Sequence, residues 1–346
     1  MTFPTEVAEL VIDACDNSST LASCASVSRA WHNRAVFRLF ERQTIHVVGL
    51  TALEAFLSTI SHPLCTIHSS IRSISISSVT SLNGFIPILA GIPNLTSLQL
   101  TGDTLLNDAA QTTFKQSLYD LRHLSLDITF PTSTAAISLV CSLPLLESLS
   151  LHGRWVGALS PPPLDLPATI HTISLGGMLD DILLWLLSRP PPPALSFLQF
   201  RDVGTRQSLR SVLEYLPQVS KTVTVFRFSI ADIGTENHFT HGIPESLHFR
   251  VLHTLSIDKH YANPPRLLIL FLMLLDAPNL EFVSINSLGM TVIYSHAWTH
   301  VGVQLLEHPK LCKFTVRTNA QHHPGLRQAL RALDVRDMLE LLDTVD

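Results

Sequence analysis

The residues with the clearest capacity for chemistry are seventeen histidines, which could bind a metal ion or act as general bases. The closely spaced histidines are His238 and His241, His296 and His300, and His322 and His323. A zinc site needs three or four converging ligands, and none of these pairs has the glutamate of an HExxH motif or a nearby pair of cysteines. We therefore predict no metal site and no cofactor, and we expect these histidines to be surface or strand residues.

The short motifs that position a catalytic nucleophile or a phosphate group do not occur in this sequence. There is no GxSxG, no P-loop and no GxGxxG. The pair Gly176-Gly177 is typical of a tight turn, and Asp180-Asp181 is typical of the first turn of a helix. We predict that the protein is not an enzyme, since an active site here would have to be assembled from residues without a sequence signature.

The overall charge excludes a general nucleic-acid binder. The 346 residues include 23 Lys and Arg against 28 Asp and Glu, so the net charge is -5. A protein that displaces counterions from phosphates needs a basic face. Charged residues make up 15% of the chain, compared with roughly 25% in an average domain. We therefore predict no nucleic-acid partner.

Cysteine spacing and hydropathy predict a soluble protein of a reducing compartment. The five cysteines are scattered, without a CxxC pair. The longest apolar run, Leu267–Leu275, has nine residues, about half of what a membrane crossing needs. The N-terminal stretch carries Glu6, Glu9 and Asp13, which a secretory signal would not. We expect no membrane association and a cytoplasmic or nuclear location, or both.

One pattern, apolar-x-x-apolar-x-apolar, occurs ten times at steps of 24 to 31 residues. Its central apolar residues are Ile74, Leu98, Leu124, Leu149, Ile173, Leu198, Phe226, Leu255, Val283 and Phe314. The alternating end of each copy predicts a short strand with one buried face. A single strand and helix cannot bury their apolar faces, whereas stacked copies share a continuous core under a parallel sheet.

Over residues 69–320 this pattern resembles the leucine-rich repeat family. The resemblance implies an α/β solenoid of about ten units, with parallel strands inside and helices or irregular segments outside. Of the ten positions where the family has an asparagine or cysteine after the strand, only Asp103, Thr129 and Asn319 could supply a comparable hydrogen bond, so a ladder of asparagines is absent. We expect an irregular arc, a helical linker over residues 46–68 and a capping helix within residues 321–346.

Before the repeats, the apolar spacing predicts a module of three short helices over residues 1–45. The residues that set this spacing are Val7, Leu10, Val11 and Ala14, then Leu21 and Cys24, then Val27 and Trp31. So small a unit buries little surface and is marginal alone. We expect a partner to cover its apolar stripe of Pro4, Val7, Val11 and Val27. The alternative is that this stripe packs against the first repeat.

This module resembles the F-box. Phe3-Pro4-x-Glu6-Val7 is similar to the family's Leu-Pro-x-Glu-Leu start, and Val27-Ser28-Arg29-x-Trp31 is similar to its Val-Ser-x-x-Trp signature; Phe3 and Cys15 depart from the usual leucines. The resemblance implies docking on the Skp-type adaptor of a cullin–RING ubiquitin ligase, with the repeats holding a client protein. The residues expected to contact the adaptor are Phe3, Pro4, Val7, Val11, Leu21, Val27 and Trp31.

The client is expected on the strand face that points away from the core. Six of the ten residues between the last two apolar positions are serines, and larger or charged residues concentrate from Gln199 onward. The predicted client-binding residues are Gln199, Arg201, Arg227, Asp258, Lys313 and Arg317. The function this predicts is a substrate receptor of a Skp–cullin–F-box ligase. The alternative function is a protein-binding scaffold without a ligase, in which the N-terminal helices are a cap. For the client-binding residues, the alternative is that they are ordinary solvated strand residues.

Overall fold

The structure is a computed structural model that describes residues 4–63, 65, 67–80, 83–157, 162–189, 194–230, 246–259, 271–287 and 295–343. The predicted α/β class and the parallel pairing of strands are confirmed. The chain divides into two compact units, Met1–Thr169 and Ile170–Asp346. Phe3 lies outside the described residues, as do His238 and His241.

The first unit begins with three helices, α1 (Thr5–Asp13), α2 (Ser18–Val27) and α3 (Arg29–Arg42). Side chains that accept backbone N–H groups begin the second and third of these. Asn17 Oδ1 accepts a hydrogen bond from the N–H of Ser19 at 2.8 Å, and Ser28 Oγ accepts one from the N–H of Trp31 at 3.4 Å. These caps explain why the chain forms three short helices instead of one long helix.

Strands and helices then alternate in the first unit. The elements are β1 (Thr44–Val48), α4 (Leu50–Ile60), β2 (Ser73–Ser77), α5 (Ile86–Ala90), β3 (Ser97–Leu105), α6 (Asp108–Ser117), β4 (His123–Thr132), α7 (Ser133–Cys141), β5 (Ser148–Leu151) and β6 (Arg154–Gly157). Strands β1 to β5 pair in parallel in chain order, and β6 pairs with β4.

The second unit continues the alternation. Its elements are β7 (Thr172–Leu175), α8 (Leu179–Leu187), β8 (Phe197–Val203), α9 (Arg206–Val219), β9 (Val225–Ile230), β10 (Leu247–His248), β11 (Thr254–Lys259), β12 (Leu275–Asp276), β13 (Phe282–Ser287), α10 (Ser295–Leu306), β14 (Lys313–Thr318), α11 (His323–Ala329), α12 (Arg331–Asp334) and β15 (Leu339–Asp343). Strands β7, β8, β9, β11, β13, β14 and β15 pair in parallel in that order, and β10 pairs with β12.

The sequence repeat coincides with the register of these strands. Ile74 pairs with Leu98 and Leu98 with Leu124 in the first unit, and Leu198 pairs with Phe226 in the second. All ten central residues of the repeat are buried. Because side chains alternate along a strand, the residues flanking each central position point to the opposite face of the sheet.

Two strands lie where the sequence predicted helices. The predicted linker over residues 46–68 begins inside β1, and the predicted capping helix ends in β15. Ile45 pairs with Ile74 and Leu339 pairs with Phe314, so Ile45 and Leu339 occupy the central position of the repeat pattern. The first apolar position of the pattern, three residues earlier, is then occupied by Arg42 and Arg336. The motif is therefore broken at both strands. The helical residues before β15 end near Asp337, whose φ of 58° lies in the left-handed region that cannot continue a helix.

Candidate functional site

The three N-terminal helices have an apolar core of their own. Ile12, Leu21, Cys24 and Ala35 form this core, and Trp31 packs against it while remaining partly exposed. Leu21 is only 2% exposed. The prediction that Leu21 contacts a partner is wrong, because its side chain joins α2 to this core. Part of the Trp31 side chain therefore packs on the core, and the rest is accessible at the surface.

Helix α1 turns a second set of apolar residues toward solvent. The exposed fractions are 40% for Val7, 69% for Leu10 and 44% for Val11, whereas Ala8 and Ile12 are the buried residues of this helix. We call Val7, Leu10 and Val11 the α1 apolar surface. These exposed fractions do not favour the alternative in which the stripe packs against the first repeat. Leu10 was part of the predicted helix but not among the predicted contacts, although its i+3 spacing from Val7 marks it.

Two further predicted contact residues are also accessible. Pro4 is exposed and begins α1, since its carbonyl accepts hydrogen bonds from Val7 and Ala8 at 3.1 Å. Val27, at the end of α2, is 65% exposed. Four of the seven predicted adaptor residues, including Val7 and Val11, are thus exposed apolar groups.

Ion pairs hold α1 against α3. Arg34 Nε and Nη2 donate to the two oxygens of Asp13 at 2.8 and 2.5 Å, and Arg38 Nε lies 3.2 Å from the same carboxylate. The hydrogen bond from Arg34 lowers the pKa of Asp13. Arg42 donates to Asp16 at 2.6 Å just beyond the helix. These contacts orient α1 through its polar end and leave the α1 apolar surface open.

The predicted client residues lie on one face of the strands in the second unit, but they are not all accessible. Gln199 is 8% exposed, and its Oε1 accepts a hydrogen bond from Ser174 Oγ at 3.2 Å. The prediction that Gln199 contacts a client directly is wrong, because neighbouring strands cover it. The side-chain amide oxygen of Gln199 also lies 3.5 Å from Arg201 Nη2.

The other predicted client residues form two groups. Arg201 and Arg227 are exposed on β8 and β9, and the Arg227 guanidinium lies over the Phe197 ring at 5.5 Å. Lys313 and Arg317 are exposed on β14. Since β11 and β13 separate β9 from β14, the two groups are about 14 Å apart at the usual strand spacing. We call Arg201, Arg227, Asp258, Lys313 and Arg317 the strand-face surface.

Two members of the strand-face surface are held by neighbours. Asp258 accepts a hydrogen bond from Asn286 Nδ2 at 2.5 Å, and Lys313 forms an ion pair with Glu340 at 2.8 Å. That contact with Lys313 lowers the pKa of Glu340. Phe282 is also exposed on this face, as the lateral partner of Lys313. The sequence reasoning missed Phe282, although an aromatic residue at a polar position of the repeat is a usable signal.

Several serines of the strand face hydrogen-bond to side chains on the neighbouring strand. Ser75 Oγ donates to Gln99 Oε1 at 3.2 Å, and Ser284 Oγ donates to Ser256 Oγ at 2.9 Å. Ser75, Ser174 and Ser256 are buried. The exposed groups on this face of the second unit include Arg201, Arg227, Lys313, Arg317 and Phe282.

The histidines and cysteines form no metal cluster among the described residues. His296 and His300 are exposed on α10, and no group of three possible ligands comes together in those parts of the chain. All five cysteines are free thiols. Burial raises the pKa of Cys141 to about 12, which makes that thiol a poor nucleophile.

Within the described ranges, the longest helices are too short or too polar to cross a bilayer. No protein-family model matches the chain, and no curated protein sequence is significantly similar to it.

Proposed function

We propose that this protein is the substrate receptor of a Skp–cullin–F-box ubiquitin ligase. Its N-terminal helices bind the Skp-type adaptor and, through it, the cullin, and a leucine-rich-repeat solenoid binds the client protein. In this role the protein performs no covalent step of ubiquitin transfer. The observation that carries the proposal is the α1 apolar surface, which remains exposed on a module that already has its own core.

The energetics favour a partner on these helices. Val7, Leu10, Val11 and Val27 keep 40–69% of their surface in contact with water. Covering them would contribute on the order of 4–5 kcal/mol before the costs of association are subtracted. Residues at i, i+3 and i+4 of one helix are the usual anchors when a helix binds in an apolar groove.

The client would contact the strand-face surface together with Phe282. Arginine and aromatic residues are the types that contribute most to protein interfaces. The Arg227 guanidinium lies over the Phe197 ring, so this cation loses less conformational freedom on binding than an unrestrained arginine would. This group on β8 and β9 is the proposed centre of client recognition.

Co-purification with a Skp-type adaptor tests the proposal. The full chain and the adaptor are co-expressed, and the complex is isolated through a tag on the adaptor. The Val7→Asp/Val11→Asp variant should lose the complex, because it places two charges on the α1 apolar surface. Val303→Asp is the matched control, since Val303 is an exposed valine on α10, and it should retain the complex.

The alternative function is a protein-binding scaffold without a ligase. It is favoured by the strand β1, which follows α3 directly and pairs with β2, so that the N-terminal helices could serve as a cap. A folded full-length protein that does not bind the adaptor would support the scaffold. Loss of adaptor binding only in the Val7→Asp/Val11→Asp variant would support the ligase receptor.

A further inference from the structure

Three residues of the second unit form a hydrogen-bonded chain that neither proposed surface uses. His248 Nδ1 lies 2.7 Å from Asp276 Oδ2, and His248 Nε2 lies 2.8 Å from Ser246 Oγ. The order is hydroxyl, imidazole, carboxylate. Both distances are within hydrogen-bonding range, which is the geometric requirement for a nucleophile, its base and an orienting group.

The strand pairing fixes this arrangement. Strands β10 and β12 are parallel, and His248 lies directly opposite Asp276. Ser246 is two residues before His248, so side-chain alternation puts its hydroxyl on the same side. The intervening Leu247 and its partner Leu275 are buried, and the N–H of Phe249 donates to the carbonyl of Asp276 at 2.8 Å.

The carboxylate determines the tautomer of the imidazole. Asp276 can only accept a hydrogen bond when ionised, so the proton of a neutral His248 lies on Nδ1. Nε2 is then an acceptor, and Ser246 Oγ–H is its donor. This tautomer can remove the serine proton as the oxygen attacks an electrophile. The side chains of His248 and Asp276 are 67% and 62% exposed, so the reacting groups are reachable from solvent.

We propose that Ser246 is a nucleophile for acyl transfer, with His248 as its general base and Asp276 as a positioning residue. The substrate class is a small activated carboxylic ester. Ser246 Oγ forms a bond to the acyl carbon while its proton passes to His248 Nε2. The ester C–O bond then breaks and the leaving alcohol takes that proton; water attacks the acyl-serine by the reverse proton path and regenerates the hydroxyl. This activity is independent of adaptor and client binding.

A fluorophosphonate probe on the full-length protein tests the proposal. The serine oxygen should displace fluoride from phosphorus, and mass spectrometry should locate the adduct on Ser246. Ser246→Ala should abolish the adduct. His248→Ala should slow its formation by about 100-fold or more, the typical contribution of a general base. Asp276→Asn should also slow it, whereas Asp276→Glu should restore part of the rate by again accepting from Nδ1.

His253→Ala is the matched control. His253 Nδ1 lies 3.3 Å from Glu281, a second histidine–carboxylate pair between neighbouring segments, and this variant should label at the wild-type rate. Circular dichroism establishes that each variant is folded. Failure of the folded wild-type protein to label at Ser246 would overturn the proposal. A labelling rate that is unchanged in His248→Ala would overturn it too.

Discussion

Arg34 binds the carboxylate of Asp13 through two hydrogen bonds, at 2.8 and 2.5 Å, and so joins the end of α1 to α3. The apolar core of the module lies on one side of α1, and Val7, Leu10 and Val11 lie exposed on the other. The module therefore holds α1 in place without covering its apolar residues. That separation is the structural basis of the proposed adaptor site.

The Asp13–Arg34 pair should make the module sensitive to acid. The pKa of Asp13 is lowered in the folded protein, so the pair stabilises the fold above the unfolded-state value of about 3.9, and this stabilisation is lost as the pH falls through the folded-state pKa. Asp13→Asn should lower the thermal midpoint at pH 7. The difference from wild type should shrink as the pH falls from 4 toward 2. A difference that stays constant over this range would contradict the assignment.

Leu21 and Leu10 should respond differently to the same substitution. Leu21→Ala leaves a cavity in the core of the three helices and should lower the free energy of unfolding of that module by about 2–4 kcal/mol. Leu10→Ala removes an exposed side chain and should change it by less than about 0.5 kcal/mol. Hydrogen exchange of the backbone amides of α2 and α3, followed over a series of urea concentrations, measures both. Equal effects would show that the module packs differently.

Arg201 and Arg227 should be needed for client capture. The Arg201→Ala/Arg227→Ala variant should reduce recovery of the bound client at least ten-fold, because both cations lie at the proposed centre of the strand-face surface. Arg210→Ala is the matched control, since Arg210 is exposed on α9 and pairs with Glu214 in the same helix, at 2.8 Å. Quantitative mass spectrometry of proteins bound to each variant makes the comparison. If the Arg201→Ala/Arg227→Ala variant recovers as much client as the Arg210→Ala variant, these two arginines are not part of the binding site.

Hydrogen exchange should distinguish the strand β15 from the helix that the sequence predicted. An edge strand pairs alternate N–H groups with its one neighbour, so slow and fast exchange should alternate over Leu339–Asp343. A helix would protect consecutive amides over the same residues. Residue-resolved exchange by NMR tests this. Consecutive protection would contradict the pairing of Leu339 with Phe314.

Much of the fold could be predicted from the sequence because the repeat marks buried strand positions. Each central residue is apolar, and its neighbours in the sheet are the equivalent residues of the adjacent copies. The terminal strands were missed because Arg42 and Arg336 break the motif, and apolar spacing alone could not separate a strand from a helix there. A strand at the end of a sheet has a neighbouring strand on one side only. An apolar residue is therefore less strictly required at the positions of the repeat pattern in such a strand.

The functional residues were less predictable, because exposure depends on neighbours that the sequence does not identify. Leu21 and Val27 both belong to α2, but only Val27 points to solvent. Gln199 occupies a surface-facing position and is nevertheless covered by the strands beside it. The Ser246–His248–Asp276 chain was missed because strand pairing brings together two segments 28 residues apart, and no short motif spans that distance.

Calorimetric titration of the purified full-length protein with a purified Skp-type adaptor tests the central claim most directly. We predict a 1:1 complex with a dissociation constant in the micromolar range or tighter. The Val7→Asp/Val11→Asp variant should weaken it at least 100-fold, and Val303→Asp should bind as wild type does. A folded wild-type protein that gives no binding heat at several temperatures, or equal affinities for wild type and the Val7→Asp/Val11→Asp variant, would contradict the account.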